Sequence, residues 1–300
     1  MKRLFILFPI ILMLFGCGNR IPQARIAATT LPVYDFTSRI CDGTSLTVTR
    51  LVTEEVSCLH DYSLNVKQVK AAEAAETIVI SGAGLEAFME DLLHDKKTID
   101  ASEGIALILP EDQVHDHEHE HETEEKEDDH EGHHHEQDPH IWLSPANAVI
   151  MAENICRGLC SQYPEHVQLF EENLNVLKLE LEALGTYGQK ELQTLACRDL
   201  ITFHDGFSYF ADAFDLHILR AVEEESGSEA SAKELIHLIE EVQLHDLPAI
   251  FTENSGSVSA AGIISRETGC GSFSLDMAMT GDSYFKAMYR NIDTVKEALG

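Results

Sequence analysis

The stretch PEHVQLFEENLNVLKLELEALGTYGQKELQTL, residues 164–195, decides the fold. Apolar side chains recur in it every three or four residues and form one stripe, with glutamates and lysines elsewhere, and this spacing predicts an amphipathic helix. At about 1.5 Å per residue the helix would be roughly 45 Å long, enough to run the length of a two-lobed protein. The stripe consists of Val167, Phe170, Leu174, Leu177, Leu181 and Leu184.

On both sides of this helix, short apolar runs alternate with helical stretches. Before it, the sequence predicts strands at residues 25–30, 46–52, 77–80 and 105–109. After it, strands are predicted at residues 200–203, 216–222, 249–251 and 271–275. Strands that alternate with helices form parallel sheets covered on both faces. We therefore expect an α/β protein of two lobes, each a mainly parallel sheet flanked by helices, joined by one long rigid helix.

The domain boundaries follow from the position of that helix. A chain of 300 residues is better divided between two domains than packed around one small core. We expect an N-terminal α/β lobe at residues 25–163, which includes a disordered loop at 113–137. The connecting helix then occupies residues 164–196, and a C-terminal α/β lobe occupies 197–300.

Residues 1–17 have the pattern of an export signal. A basic start, Met1-Lys2-Arg3, precedes an apolar run at 4–15 that is too short to span a bilayer but suits a signal-peptide core. The following residues, Leu14-Phe15-Gly16-Cys17, resemble a bacterial lipobox, and residues 18–24 form a polar spacer. The alternative is an ordinary signal peptide with an unrelated cysteine. We expect a protein lipidated at Cys17, attached to the cell membrane and facing the extracellular or periplasmic side.

Residues 115–137 form a segment of unusual composition. They contain eight of the sixteen histidines of the chain, eleven carboxylates and one lysine, and no apolar residue. Such a segment cannot bury enough surface to fold, so we expect a mobile loop. Imidazole and carboxylate are ligands that zinc prefers, which favours additional, weak zinc sites over a plain acidic linker or a tag. The candidate ligands are His115, His117, His119, His121, His130, His133, His134 and His135.

The charge balance restricts the class of partner. The chain has 52 acidic against 21 basic residues and a net charge of −31. This argues against nucleic acid as a partner and favours cations.

Six cysteines follow Cys17, and an even number in an exported protein allows up to three disulfides. The alternative is a cysteine zinc site, for which only Cys156 and Cys160, four residues apart on a predicted helix, are suitably spaced. The pairing stays open among Cys41, Cys58, Cys156, Cys160, Cys197 and Cys270.

Four further residues follow predicted strands, and they are His60, His140, His204 and Asp276. Ligands of open α/β sheets bind outside the carboxyl ends of the strands, and two of the four residues come from each lobe. Facing lobes would therefore bring them together. Three neutral imidazoles and one carboxylate form a four-coordinate set that suits zinc. A single His followed by Asp is more often a surface or capping pair, so only the joint placement supports these residues.

Several short runs resemble the metal-binding solute-binding proteins of bacterial ABC transporters, specifically the zinc-uptake lipoproteins of the zinc/manganese family. The most specific is DPHIWLSP at 138–145. The others, in the order of the family, are ATTLPV at 28–33, HDY at 60–62, SGAGLE at 81–86, FHDGF at 203–207, EEESGSE at 223–229, FTE at 251–253 and LD at 275–276. The resemblance implies metal ligands at His60, His140, His204 and Asp276, and a histidine-rich loop is also typical of the zinc branch.

Two departures from the family pattern affect these expectations. The family usually has proline before the first ligand, where this chain has Cys58-Leu59, so we expect a differently shaped loop, with a disulfide to Cys41 as one option. The segment 275–282 is short compared with some relatives, which leaves the register of Asp276 open. Manganese-selective relatives tend to carry glutamate where this chain has His204, and a third imidazole favours zinc over manganese.

The predicted function is capture of one tightly bound Zn²⁺ by a monomeric, non-enzymatic protein that delivers it to an ABC membrane permease. A manganese-binding protein of the same family is the first alternative. A metal-dependent adhesin and a zinc hydrolase with a metal-bound water are others. The chain lacks the run His-Glu-x-x-His, and its only candidate for a general base is Glu253, which equally suits a partner for a ligating histidine.

Overall fold

The computed structural model describes residues 25–54, 56, 59, 62–108, 137–222, 231–253 and 258–300. The predicted export signal with Cys17, the ligand candidate His60, Cys58 and the histidine-rich segment lie outside the described residues. No helix of the described ranges is long and apolar enough to cross a membrane.

The first sheet is parallel and has the strand order β2-β1-β3-β4. Its strands are β1 (Arg25–Ala28), β2 (Thr47–Arg50), β3 (Thr77–Ile80) and β4 (Lys97–Asp100). Helices α1 (Leu31–Ile40), α2 (Val66–Ala74) and α3 (Glu90–Leu93) connect them. Helix α1 begins at the Leu31-Pro32 step because proline suits a first helical turn. Asn65 caps the start of helix α2, because its side chain accepts from Gln68 N while Gln68 Oε1 accepts from Asn65 N.

The fourth strand differs from the prediction. Residues 105–108 were predicted to be part of a strand, but they form no strand in the structure. The edge strand is Lys97–Asp100 instead. Only Ile99 of this strand is buried, because an edge strand packs on one side and leaves its other side chains in water. The apolar run at 105–108 packs against the core as irregular chain.

The second sheet is also parallel and has the order β6-β5-β7-β8. Its strands are β5 (Asp199–Thr202), β6 (His217–Ala221), β7 (Ala249–Glu253) and β8 (Gly271–Leu275). Its helices are α6 (Ser208–Ala213), α7 (Ala232–Leu244), α8 (Val258–Thr268) and α9 (Tyr284–Leu299). Strand β7 is buried along its whole length, as expected of a central strand covered on both faces.

Helices α4 (Pro145–Gln162) and α5 (Val167–Glu191) lie between the two sheets in the chain. Helix α5 has 25 residues, so it is about 37 Å long rather than 45 Å. It begins later than predicted because Pro164–His166 is a separate 3-10 turn. Its buried stripe contains Phe170, Leu177, Leu181 and Leu184, and Gly188 lies directly against the ring of Phe214 beyond α6. The prediction of two parallel-sheet units with a long helix between them is confirmed.

Direct hydrogen bonds join the segments that follow the two sheets. Leu31 N donates to Met279 O at 3.0 Å, and the indole nitrogen of Trp142 donates to Met277 O at 2.7 Å. The hydroxyl of Tyr284 donates to Trp142 O at 2.8 Å. Buried residues from both sheets belong to one hydrophobic cluster. The carboxyl ends of the two sheets are therefore held against each other across a cleft.

Five cysteines lie in the described ranges, and each is a free thiol. They are Cys41, Cys156, Cys160, Cys197 and Cys270. The predicted disulfides are therefore absent among these five. The Sγ atoms of Cys156 and Cys160 lie 3.9 Å apart on α4.

Candidate metal centre

His140 is held rigidly by the residue two positions before it. Asp138 Oδ1 accepts from His140 N at 2.9 Å and lies 2.8 Å from His140 Nδ1. Both side chains are buried, with His140 only 1% exposed. Since an ionised carboxylate can only accept, Nδ1 carries the hydrogen in this pair and Nε2 is the nitrogen that would bind a metal.

Asp138 is in turn anchored to both halves of the chain. Asp138 N donates to Ile108 O at 3.1 Å, and Tyr209 of α6 donates its hydroxyl to Asp138 O at 3.1 Å. The same hydroxyl accepts from Ile108 N at 3.0 Å. The two residues that flank the stretch 109–137 are therefore adjacent, and a single tyrosine binds both.

His204 is the residue two positions after strand β5, where its carbonyl accepts from the hydroxyl of Thr202 at 3.0 Å. Its Nδ1 lies 3.3 Å from Glu253 Oε1. Glu253 is buried at the carboxyl end of β7, the strand next to β5 in the sheet. Both histidines thus have a buried carboxylate beside Nδ1, the arrangement that fixes the ring orientation of metal-binding imidazoles.

The two imidazole rings lie edge to face across the cleft. Their centroids are 5.2 Å apart with an angle of 82° between the ring planes. His140 also contacts the ring of Trp142 edge to face, at 5.4 Å between centroids. The structure therefore brings together two of the four predicted ligands, one from each half of the chain.

Asp276 directly follows β8, and its backbone is fixed by α9. Asn291 Oδ1 accepts from Asp276 N at 2.8 Å, and Asn291 Nδ2 donates to Asp276 O at 2.7 Å. Its carboxylate accepts from Ala278 N at 2.8 Å through Oδ1, and its Oδ2 lies 3.8 Å from Nη1 of Arg290. The side chain lines a cavity of about 260 Å³ that Glu253 also lines. Asp276 is thus on the cleft, beside the carboxylate that holds His204.

His60 lies outside the described residues, but its neighbours reach the same cleft. Val56 lines the cavity together with Glu253 and Asp276. Leu59 is buried, and its carbonyl accepts from Tyr62 N at 3.2 Å. The described ranges by themselves contain no group of three or more His, Cys, Asp or Glu side chains placed to hold a metal ion. The prediction for His60 stays a prediction.

One buried oxygen in the cleft supports a cation there. Asp138 Oδ2 is buried and, within the described part of the chain, has no hydrogen-bond partner. A buried carboxylate oxygen without a donor is costly unless positive charge lies nearby. The pattern of imidazoles backed by carboxylates fits Zn²⁺, the ion expected here as cargo.

Sequence reasoning included Asp138 only as the first residue of the run at 138–145 and treated Glu253 as either a general base or a histidine partner. The structure gives both the same role beside an imidazole. The signal for Glu253 was its position at a strand end, the rule that selected His204 and Asp276. The signal for Asp138 was its place two residues before His140.

Comparisons with known proteins identify the family of the chain. A profile of the family described as zinc-uptake complex component A, periplasmic (ZnuA), matches residues 26–298. The chain is 28% identical over 319 residues to the zinc-binding lipoprotein AdcA of Streptococcus pneumoniae serotype 4, covering 99% of this chain and 61% of AdcA. It thus spans about three fifths of the length of that relative.

Solved structures share the fold. A crystal structure of ZnuA superposes with a TM-score of 0.75 at 27% identity and covers 92% of this chain and 98% of the other. Zn(II)-bound AdcA from Streptococcus pneumoniae superposes with a TM-score of 0.74 at 26% identity, covering 92% of this chain and 58% of AdcA.

The profile covers both sheets, the long helix and every candidate ligand, and its members are metal-binding substrate-binding proteins of ABC transport rather than enzymes. The prediction of a non-enzymatic binding protein agrees with this assignment. A match over nearly the whole chain, together with the shared fold, shows that the protein belongs to the ZnuA family of zinc-uptake components.

Proposed function

We propose that this protein captures Zn²⁺ in the cleft between its two sheets through His60, His140, His204 and Asp276. The observation that carries the proposal is the facing pair of imidazoles, each with a buried carboxylate beside Nδ1. Asp276 lines the same cleft and would supply the fourth ligand. The relatives whose names state zinc binding support zinc as the cargo.

Zinc is favoured over manganese by the types of ligand. Manganese prefers oxygen-rich, six-coordinate sites, whereas a tetrahedral set dominated by imidazole suits zinc. Each imidazole here lies against a carboxylate that raises its basicity as a ligand, which strengthens binding of a borderline ion more than of a hard one.

The bound ion would then pass to an ABC permease in the membrane. A lipid on Cys17 would keep the protein near that permease on the outer side of the membrane. The histidine-rich segment would bind additional zinc ions weakly, because its many overlapping ligand sets form no fixed cage and ordering the chain opposes binding. The protein is expected to act as a monomer.

The test is metal stoichiometry and affinity of the purified protein with zinc and with manganese. The variants His140→Ala and His204→Ala should each lose zinc affinity by orders of magnitude, because three ligands must then hold a site built for four. His217→Ala is the matched control, since this exposed histidine also faces a carboxylate, Asp199, at 3.3 Å. Tight zinc binding by the His140 or His204 variant, or tighter binding of manganese than of zinc, would contradict the proposal.

Delivery needs a separate test in cells. A strain that lacks the protein should fail to grow under zinc limitation and recover with the wild-type gene. A gene carrying His204→Ala should not restore growth, whereas the His217→Ala control should. Growth that is independent of the protein would refute a role in zinc import while leaving metal binding intact.

A further inference from the structure

A second group of metal-binding side chains lies on α4, away from the cleft. Cys156 and Cys160 are one helical turn apart, with 3.9 Å between their Sγ atoms. Cys156 lies eleven positions beyond Pro145, where the helix begins next to the His140 segment. At about 1.5 Å per residue this places the pair about 17 Å along the helix from its start.

The separation of the two sulfurs fits a shared metal ion. Two thiolates at about 2.3 Å from one ion, the zinc–sulfur distance, lie about 3.8 Å apart in tetrahedral geometry and about 4.0 Å apart in trigonal geometry. The observed 3.9 Å falls between these values and needs no movement of the helix. A disulfide requires about 2.05 Å between sulfurs and closer Cβ atoms than neighbouring turns of a helix provide, so the pair is better arranged for a metal.

The surroundings select the kind of ion. Cys156 is buried in the main core and Cys160 is half-buried, so access is from the Cys160 side. Burial, together with the nearby Cys160 and Glu171, raises the pKa of Cys156 to about 12. Metal binding must displace the thiol proton, and only ions with a strong preference for sulfur do so readily in an apolar setting.

We propose that Cys156 and Cys160 form a second metal site that takes a soft, thiophilic ion of the Cu(I) or Cd²⁺ class. Each thiol loses its proton to solvent and forms one sulfur–metal bond, with no change in oxidation state. Solvent, or an added small thiol reaching the exposed side, completes the coordination. The site is independent of the zinc cleft, because no cleft ligand lies on this part of α4.

The experiment is a titration of the full-length, reduced protein with Cd²⁺, with and without one equivalent of zinc. A thiolate-to-metal charge-transfer band should appear in the ultraviolet and saturate at one equivalent, and zinc in the cleft should not reduce it. X-ray absorption at the cadmium edge should count at least two sulfur ligands. The histidine-rich segment does not contribute to this band, because it offers only nitrogen and oxygen ligands.

Two variants test the assignment. Cys160→Ser, at the half-buried position, should abolish the saturating band and weaken cadmium binding at least tenfold while zinc affinity stays unchanged. Cys197→Ser is the matched control, since Cys197 is a half-buried thiol elsewhere, and it should keep the band. Cys156→Ser gives an independent check at the buried sulfur.

Three results would overturn the proposal. The first is no charge-transfer band in the reduced wild-type protein, which would make the pair ordinary core packing. The second is a band that survives in both Cys156→Ser and Cys160→Ser. The third is mass-spectrometric detection of a Cys156–Cys160 disulfide that resists reduction in the folded protein.

Discussion

At the scale of single residues, the cleft depends on charges placed behind the ligands. Asp138 and Glu253 lie beside the Nδ1 atoms of the two histidines, at 2.8 Å and 3.3 Å. Arg290 stands on the other side, 3.8 Å from a carboxylate oxygen of Asp276. The two carboxylates increase the attraction of the cleft for a cation, and the guanidinium of Arg290 reduces it. Substitutions can therefore raise or lower the affinity for the metal ion.

Asp138→Asn should weaken zinc binding about 10- to 100-fold. The amide oxygen still accepts the two bonds from His140, but the negative charge that strengthens the imidazole is lost. Isothermal titration with a competing chelator measures the change. Asp199→Asn, which alters the exposed His217 pair, should leave zinc affinity unchanged. Equal affinity of the Asp138 variant and wild type would mean that this carboxylate does not act on the metal.

Arg290→Gln should tighten zinc binding, by at most about fivefold. The guanidinium competes with the ion for Asp276, and an exposed ion pair contributes no more than about 1 kcal/mol. Arg290 is 60% exposed, so the effect is small and should decrease at high salt. Arg220→Gln is the control, because that arginine pairs with Glu241 on the surface. Weaker zinc binding by the Arg290 variant would remove Asp276 from the ligand set.

A buried acid near the first sheet should make stability depend on pH. Burial raises the pKa of Glu86 from 4.5 to about 7, against hydrogen bonds from Thr29, Ser81 and Gly82. The folded protein therefore holds this proton more tightly than the unfolded chain. The stabilisation of the folded state by protonated Glu86 is fully present below pH 4.5 and is lost as pH rises to about 7. The free energy of unfolding should fall by about 3 kcal/mol over this range.

Urea unfolding of the wild type and of Glu86→Gln at several pH values between 4.5 and 7.5 measures this contribution. At low pH the variant should be less stable than the wild type. Its free energy of unfolding should not fall as pH rises, so the difference between the two proteins should narrow. Glu103→Gln, at an exposed position, should follow the wild-type curve. A constant difference at all pH values would show that Glu86 keeps one charge state throughout.

At the scale of elements, helix α5 fixes the second sheet through one glycine. A Cβ at Gly188 would overlap the ring of Phe214, whereas a Cβ at Gly185 would meet Pro145 at an ordinary 3.4 Å. Gly188→Ala should therefore lower the free energy of unfolding by about 1–3 kcal/mol. Gly185→Ala, on the same helix, should raise it by up to about 1 kcal/mol, because alanine is the better helix former. Chemical denaturation measures both, and equal effects would disprove the contact.

The elements that the sequence predicts well are those whose apolar pattern is local. Helix α5 and the buried strand at 77–80 show it clearly, and both are present. Strand β4 was missed because its only buried side chain is Ile99, so its pairing with β3 leaves no pattern in the sequence. The strand predicted at 105–108 was wrong because this run is apolar and packs against the core without pairing in the sheet.

The site divides in the same way. His140 and His204 were predicted from their joint placement after predicted strands and from the family runs that contain them. The contact between His204 and Glu253 joins residues 49 positions apart, and only the pairing of neighbouring strands brings them together. Cys41 and Cys156 are free thiols, and the sequence did not predict this because disulfide formation depends on distances between sulfur atoms in the folded chain.

At the scale of the whole molecule, the residues that flank the histidine-rich segment are held together without it. Its flanking residues are already joined, since Asp138 N donates to Ile108 O at 3.1 Å and Tyr209 binds both. Replacing residues 113–137 with a short glycine linker should therefore keep one tight zinc per protein, lower the total zinc bound, and slow uptake only when zinc is scarce. Metal analysis after dialysis measures the two populations. Loss of the tight zinc on deletion would mean that the segment supplies ligands to the cleft.

The hydrogen bonds of Trp142 make the cleft optically visible. It is the only tryptophan of the chain, it is fully buried, and its ring lies 5.4 Å from that of His140. Its indole N–H is bound to Met277 O, the residue after Asp276. Tryptophan emission therefore arises from one place, between two proposed ligands. Stopped-flow fluorescence would follow zinc entry and departure in the unlabelled wild-type protein, with no dye, tag or substitution.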